Sequence, residues 1–171
     1  VNGMQELMLQ LPENNPHTAL QWLDKLRSAA DKAHVHLTIK LPCHAEWLPT
    51  IQAVQHHKQA ILLTGLANPV QLLWAASLNA DYVAPYVGRL VADGRDVWPF
   101  IDACVTVQKN KGPALLAASI KSPEVLTHLI ASGAAAVTLP PASLMAWSSD
   151  ALTDAAMAQF ELDTARSSKN I

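Results

Sequence analysis

Three places along the chain set reactive side chains where an apolar run gives way to a turn. The first is Lys40, in Leu37-Thr38-Ile39-Lys40-Leu41-Pro42, near the end of an alternating run and on the same face as Thr38. An amine sheltered there loses hydration, which disfavours its charged form and frees the lone pair for addition to a carbonyl. The second is Tyr82-Val83-Ala84-Pro85-Tyr86-Val87-Gly88-Arg89, which sets a phenol, Tyr86, and a guanidinium, Arg89, beside one opening. The phenol can relay a proton, and the guanidinium can grip a phosphate through two parallel hydrogen bonds. The third is Leu116-Ala117-Ala118-Ser119-Ile120-Lys121, which closes on a hydroxyl and an ammonium. Each has a plainer reading: a strand-end lysine reaching solvent, a core-edge tyrosine, a surface arginine and a turn-forming serine. His34, His36, Cys43 and His44 also cluster, but they straddle a strand and a loop without C-x-x-C or H-x-x-x-H spacing, so no metal is expected.

The elements that must position these groups are short apolar runs separated by longer helical patterns. The runs are Glu6–Leu11, Val35–Leu41, Ala60–Thr64, Asp81–Val87, Ala114–Ser119 and Ala135–Leu139. Leu20, Leu23, Leu26, Ala30 and Ala33 recur at the spacing of one helix face. Asn68-Pro69 and Ser122-Pro123 are helix starts, with a side-chain acceptor for an orphan amide and a proline that loses no needed donor. Gly133 falls where a helix C-terminal glycine belongs, and the chain from Pro140 onward reads as helix with no further strand. Strict β–α alternation implies a parallel sheet with helical crossovers.

The alternation also chooses between a barrel and a doubly wound sheet. Leu37, Ile39 and Leu41 share one face of their run, and His36, Thr38 and Lys40 the other; Ile61 and Leu63 oppose Ala60, Leu62 and Thr64. A doubly wound sheet buries both faces under helices, whereas a barrel interior can turn polar at its strand ends. The expected fold is therefore α/β, a (β/α) TIM barrel. About six of the eight units that such a barrel needs are countable, followed by a C-terminal helix. Residues 1–171 are expected to form this single partial barrel domain, with residues 141–171 as its helical tail.

Composition narrows the function classes. The 171 residues carry 12 Lys+Arg against 14 Asp+Glu, a formal charge of −2, which lacks the basic excess that a phosphate backbone requires, so no nucleic-acid partner is expected. A chain that is 50% hydrophobic and 15% charged is built to bury a core, and no apolar run nears a membrane span. Two cysteines cannot staple a small fold, and no charged-then-apolar leader is visible at Val1–Glu6, so a cytoplasmic setting is expected. Trp22, Trp47, Trp74, Trp98 and Trp147 fall one to a helical segment, as packing residues do.

Taken together, the three stretches that carry Lys40, Tyr86 with Arg89, and Ser119 resemble the transaldolase family, most closely its fructose-6-phosphate aldolase branch. Val137-Thr138-Leu139-Pro140 and Ala155-Ala156-Met157-Ala158-Gln159-Phe160-Glu161 extend the resemblance over nearly the whole chain. It implies a transaldolase-like barrel and a class I aldolase mechanism on a ketose phosphate such as fructose 6-phosphate, with Lys40 as the Schiff-base lysine. It also implies that Gln10 and Thr64 hold a catalytic water, that Tyr86 supplies the phenol of the aldolase branch where transaldolases proper carry Phe, and that Arg89 and Ser119 bind phosphate. No cofactor and no metal are implied, because the imine is the electron sink. The tail after Pro140 resembles the segment that joins subunits, so a homo-oligomer is expected.

The resemblance has gaps. The family's first two strands, one bearing an acid/base aspartate, have no counterpart, and Gln10 falls on what would be the third strand. Asp24 and Asp31 lie in the first helical pattern and cannot take that role. Three expectations follow: a fragment of a longer protein, a barrel completed by a partner, or a relative without turnover that serves as an assembly or binding module.

Overall fold

Helix starts are fixed by side chains that accept from orphan amides. The computed structural model describes residues 3–167. After strand β1 (Glu6–Gln10), helix α1 (Pro16–Ala33) opens where Asn15 accepts from the Thr18 amide, with proline first in the helix. Strand β2 (His36–Pro42) leads through a 3-10 turn (Ala45–Trp47) into α2 (Leu48–His56), and β3 (Ala60–Thr64) leads into α3 (Pro69–Ser77). Asn68 caps α3 by accepting from Gln71 N, as its sequence proposes. Strand β4 (Tyr82–Ala84) is followed by α4 (Val87–Ala92) and α5 (Trp98–Lys109), then β5 (Ala114–Ala117), α6 (Pro123–Ser132) and β6 (Ala136–Val137). Ser122 accepts from Val125 N at the start of α6, and Gly133 ends that helix in the left-handed region at φ 94°.

Several strands are shorter than their apolar runs, for identifiable reasons. Val35 belongs to the end of α1, because its amide donates to Ala30 O, so β2 starts one residue later. The Asp81–Val87 run gives a three-residue strand: Pro85 has no amide to donate, and Tyr86 becomes the residue that opens α4, keeping only a single parallel bridge to Ala118. β5 stops at Ala117, and Ser119 takes a left-handed φ of 62°.

The six strands are all parallel, in the order β1-β2-β3-β4-β5-β6. A doubly wound sheet reverses its strand order at a switch point; this one never does. Right-handed crossovers in an unreversed order put every helix on one face. That face is the main core: Leu37, Ile39, Leu41, Ile61, Leu63, Val83 and Leu115 are buried, as are Leu23, Ile51, Val54, Leu72, Ile101 and Leu129 on the helices. Each such side chain stabilises the fold by about 1.5–3 kcal/mol relative to exposure.

The other face is concave. Leu62, Ala84 and Leu116 cluster there, with Met8 and Tyr82 packed against them. One space of about 160 Å³ is lined from β1 (Met8), β2 (Lys40), β3 (Leu62), β4 (Ala84) and β5 (Leu116), and by Thr138 just past β6. In a flat sheet the first and sixth strands would stand about 24 Å apart, so this shared lining requires a strong curl. The sheet is a half-barrel. At its N-terminal end Thr38 Oγ1 donates to Glu6 Oε1 (2.5 Å) and the Tyr82 hydroxyl donates to Glu6 Oε2 (3.2 Å), so one carboxylate ties β1 to β2 and to β4 across β3.

The chain divides into two compact units, the half-barrel through Thr138 and a helical unit from Leu139. The second unit is two helices instead of one continuous tail: α7 (Pro141–Trp147), then α8 (Ala151–Ser167). The break lies at Asp150, whose carboxylate accepts from the amides of Leu152 and Thr153 and so starts a new helix. Leu152, Met157, Phe160 and Leu162 on α8 are exposed.

Candidate active site

Lys40 stands on the concave face near the C-terminal end of β2, in register between Gln10 of β1 and Leu62 of β3. Burial of Ile39 and Leu41 on the opposite face fixes this orientation, since alternation sends their neighbour to the inside. The side chain is half-buried, and its ammonium forms no ion pair among the described residues. Its surroundings are mostly carbon and π surface: it lines the 160 Å³ space with Met8, Leu62, Ala84, Leu116, Ala118 and Thr138, and Nζ is 5.9 Å from the Tyr86 ring centroid. Arg89 approaches the same ring, with Cζ 4.5 Å from the centroid. Both are cation–π arrangements, and they draw the two cations to one phenol.

The β4–α4 turn and the end of β5 interlock. Val87 N donates to Ala118 O (2.9 Å), Gly88 N to Ser119 O (3.0 Å) and Ala118 N to Pro85 O (3.1 Å). Position 88 admits only glycine, because a Cβ there would strike Ser119 O and Lys121 Cγ. This close approach gathers Arg89, Ser119 and Lys121 at one corner. Arg89 and Lys121 are exposed and Ser119 is half-buried. Two cationic residues and a hydroxyl-bearing one, brought by the backbone to one strand-end loop, are of the types suited to a phosphate dianion.

The remaining sequence-proposed residues sit at the same end of the sheet. Thr64 is buried, and its hydroxyl donates to Ala84 O at 3.4 Å. Gln10 is exposed beside Lys40 in the β1–β2 register. Gly65, at φ 79°, lies beside the Tyr86 ring, whose Cε2 would be 3.9 Å from a Cβ built on it. The structure thus unites Lys40, Tyr86 and Arg89 through one ring, and Arg89 with Ser119 through one backbone junction. Gln10, Thr64, Tyr86, Arg89 and Ser119 are not part of the lining of the small space next to Lys40. Met8, Leu62 and Thr138 are, and sequence reasoning gave none of them a role. Parity along β6 was the available signal for Thr138, because Ala136 pairs with Leu116 and Thr138 shares its face.

Larger clefts open at the other end of the sheet; one of about 490 Å³ is bordered by Glu6, His36, Asn79, Asp81, Tyr82 and Lys111. Its acids are already engaged: Glu6 by Thr38 and Tyr82, and Asp81 by the Ile61 amide at 2.8 Å. Burial and the charge of Glu6 raise the Tyr82 pKa above its usual value, which keeps the phenol a donor. Reactive groups in parallel barrels gather instead at the C-terminal ends of strands, where Lys40 is. The Cys43 thiol is pushed up to about 11 by burial and donates to Gln71 O at 3.7 Å, a packing role. His34, His36 and His44 are exposed.

A half-barrel with a strand-end lysine on its concave face has relatives. The family model described as transaldolase/fructose-6-phosphate aldolase matches residues 18–170. A probable transaldolase of Clostridium kluyveri is 30% identical over 149 residues, covering 85% of this chain and 69% of the relative. One from Geobacter sulfurreducens is 30% identical with 85% and 70% covered, and one from Dehalococcoides mccartyi 30% identical with 94% and 77% covered. Among solved structures, the PaMucR phosphodiesterase in its c-di-GMP complex superposes with a TM-score of 0.54 at 14% identity, covering 77% of this chain and 58% of that one, a likeness of fold alone. With the family model spanning nearly all of it, the chain belongs to the transaldolase/fructose-6-phosphate aldolase family.

Proposed function

We propose that the protein is a class I aldolase acting on a ketose phosphate such as fructose 6-phosphate. The observation that carries this is Lys40: a half-buried amine at a strand end, lining a small, partly open space of mainly apolar side chains and without a carboxylate partner among the described residues. In this reading the neutral amine of Lys40 adds to the C2 carbonyl, and the carbinolamine loses its hydroxyl as water to leave an imine. The C4 hydroxyl gives up its proton as the C3–C4 bond breaks. The bonding pair passes to the nitrogen-linked carbons as an enamine, and glyceraldehyde 3-phosphate departs. Protonation at C3 and hydrolysis then return Lys40 and dihydroxyacetone.

The other residues take roles that their positions support. Tyr86, whose ring faces the Lys40 ammonium, relays the proton, and its phenol favours cleavage over transfer to a second aldehyde. Gln10, beside Lys40, and Thr64, at the end of β3, orient the water consumed and released at the imine. Arg89 and Ser119, joined by Lys121, hold the phosphate of the departing aldehyde. Metal and cofactor have no part in these steps. Self-association through the helical unit and a cytoplasmic setting go with this reading.

The test is release of glyceraldehyde 3-phosphate from fructose 6-phosphate, measured with a coupled reductase. Turnover by the wild type and its loss in Lys40→Met are expected. Equal rates in the two proteins would overturn the assignment.

A further inference from the structure

Three threonines stand on the concave face, and two have spent their hydroxyls. Thr38 Oγ1 donates to Glu6, and Thr64 Oγ1 donates to Ala84 O. Thr138 is held by its backbone, with its amide donating to Ala117 O at 2.9 Å, while its hydroxyl makes no hydrogen bond among the described residues. Among the described residues it is also the one hydroxyl-bearing residue lining the space beside Lys40; Met8, Leu62, Ala84, Leu116 and Ala118 supply carbon and one weakly accepting sulfur.

That imbalance matters to anything bound to the lysine. The space of about 160 Å³ has the volume of about five waters, the scale of a three-carbon donor. A donor hydroxyl drawn into it leaves water, and the apolar wall offers nothing in return. Thr138 itself is exposed at the rim, so its hydroxyl keeps water until a donor with a matching group replaces that water, and the discrimination has the size of one net hydrogen bond.

We infer that Thr138 hydrogen-bonds a hydroxyl of the ketone held on Lys40 and so selects hydroxylated donors over deoxy ones. The inference rests on the imine reading above and goes further by naming a residue just past the last strand that sets donor choice. The experiment traps adducts on the full chain with borohydride, using dihydroxyacetone in one arm and acetone in the other, and reads half-saturating concentrations by intact mass. Thr138→Val keeps the shape and removes the hydroxyl; Thr138→Ser keeps the hydroxyl. Loss of one hydrogen bond raises the dihydroxyacetone value roughly 2- to 12-fold in Thr138→Val, with acetone unchanged and with near wild-type values in Thr138→Ser. An equal change for both ketones, or no change for either, overturns the role of Thr138 alone. Wild-type protein that forms no adduct with either ketone overturns the imine reading and this inference with it.

Discussion

Lys40, Tyr86 and Arg89 meet because one aromatic ring lies within reach of both cations. In the proposed reading the work divides by charge: an amine that reacts, and a guanidinium that recognises an anion. The two can be separated experimentally. Arg89→Ala should raise KM for phosphorylated ketoses roughly 10- to 100-fold, the worth of charge-assisted hydrogen bonds, and leave dihydroxyacetone adduct formation unchanged. Equal losses with both substrates in steady-state kinetics would place Arg89 elsewhere. A second residue-scale prediction concerns Tyr82, raised above its ordinary value of 10.0 by burial and by Glu6. Its folded-state pKa exceeds the unfolded one, so its contribution to stability is complete below about pH 10 and declines as pH rises through the folded value. Urea midpoints should therefore fall more steeply above about pH 10 in the wild type than in Tyr82→Phe; parallel curves would refute the Glu6–Tyr82 linkage.

At the scale of elements, the junction between the start of α4 and the end of β5 builds the corner proposed to hold phosphate. Gly88→Ala drives a Cβ into Ser119 O and Lys121 Cγ. Because the obstacle includes backbone, the helix-propensity gain of roughly 1 kcal/mol for alanine does not offset the overpacking cost, about 1–3 kcal/mol. A lower urea midpoint is expected, and an unchanged midpoint would contradict the close approach. Most elements could be read from the residues themselves. The alternation in His36–Leu41 identifies both faces of β2 and orients Lys40, and Asn68 and Ser122 cap the helices that they announce. What escaped the reading has both local and distant causes. β4 ends early because Pro85 has no amide to donate and Tyr86 opens α4, and Asp150 starts a helix inside what reads as one by accepting from the nearby Leu152 and Thr153 amides. Met8 and Thr138 gain their site position only when the sheet curls, which no local pattern encodes.

For the whole molecule, the curl is the property on which the site depends: six strands in unreversed order converge on one space. The Glu6 carboxylate braces that curl at the opposite end, across β3. The helical unit, proposed to join subunits, exposes Leu152, Met157, Phe160 and Leu162 along α8, which has no buried residue. Light scattering should therefore report an oligomer at micromolar concentration, and Phe160→Lys should lower its mass; a wild-type monomer would refute assembly. The central claim concerns one nitrogen and is tested most directly by where a ketone attaches. The protein is incubated with dihydroxyacetone, reduced with borohydride, digested and mapped by mass spectrometry. The account predicts a single reduced adduct on Lys40 that is absent from Lys40→Met, and a wild-type protein without an adduct, or with one on another lysine, would contradict it.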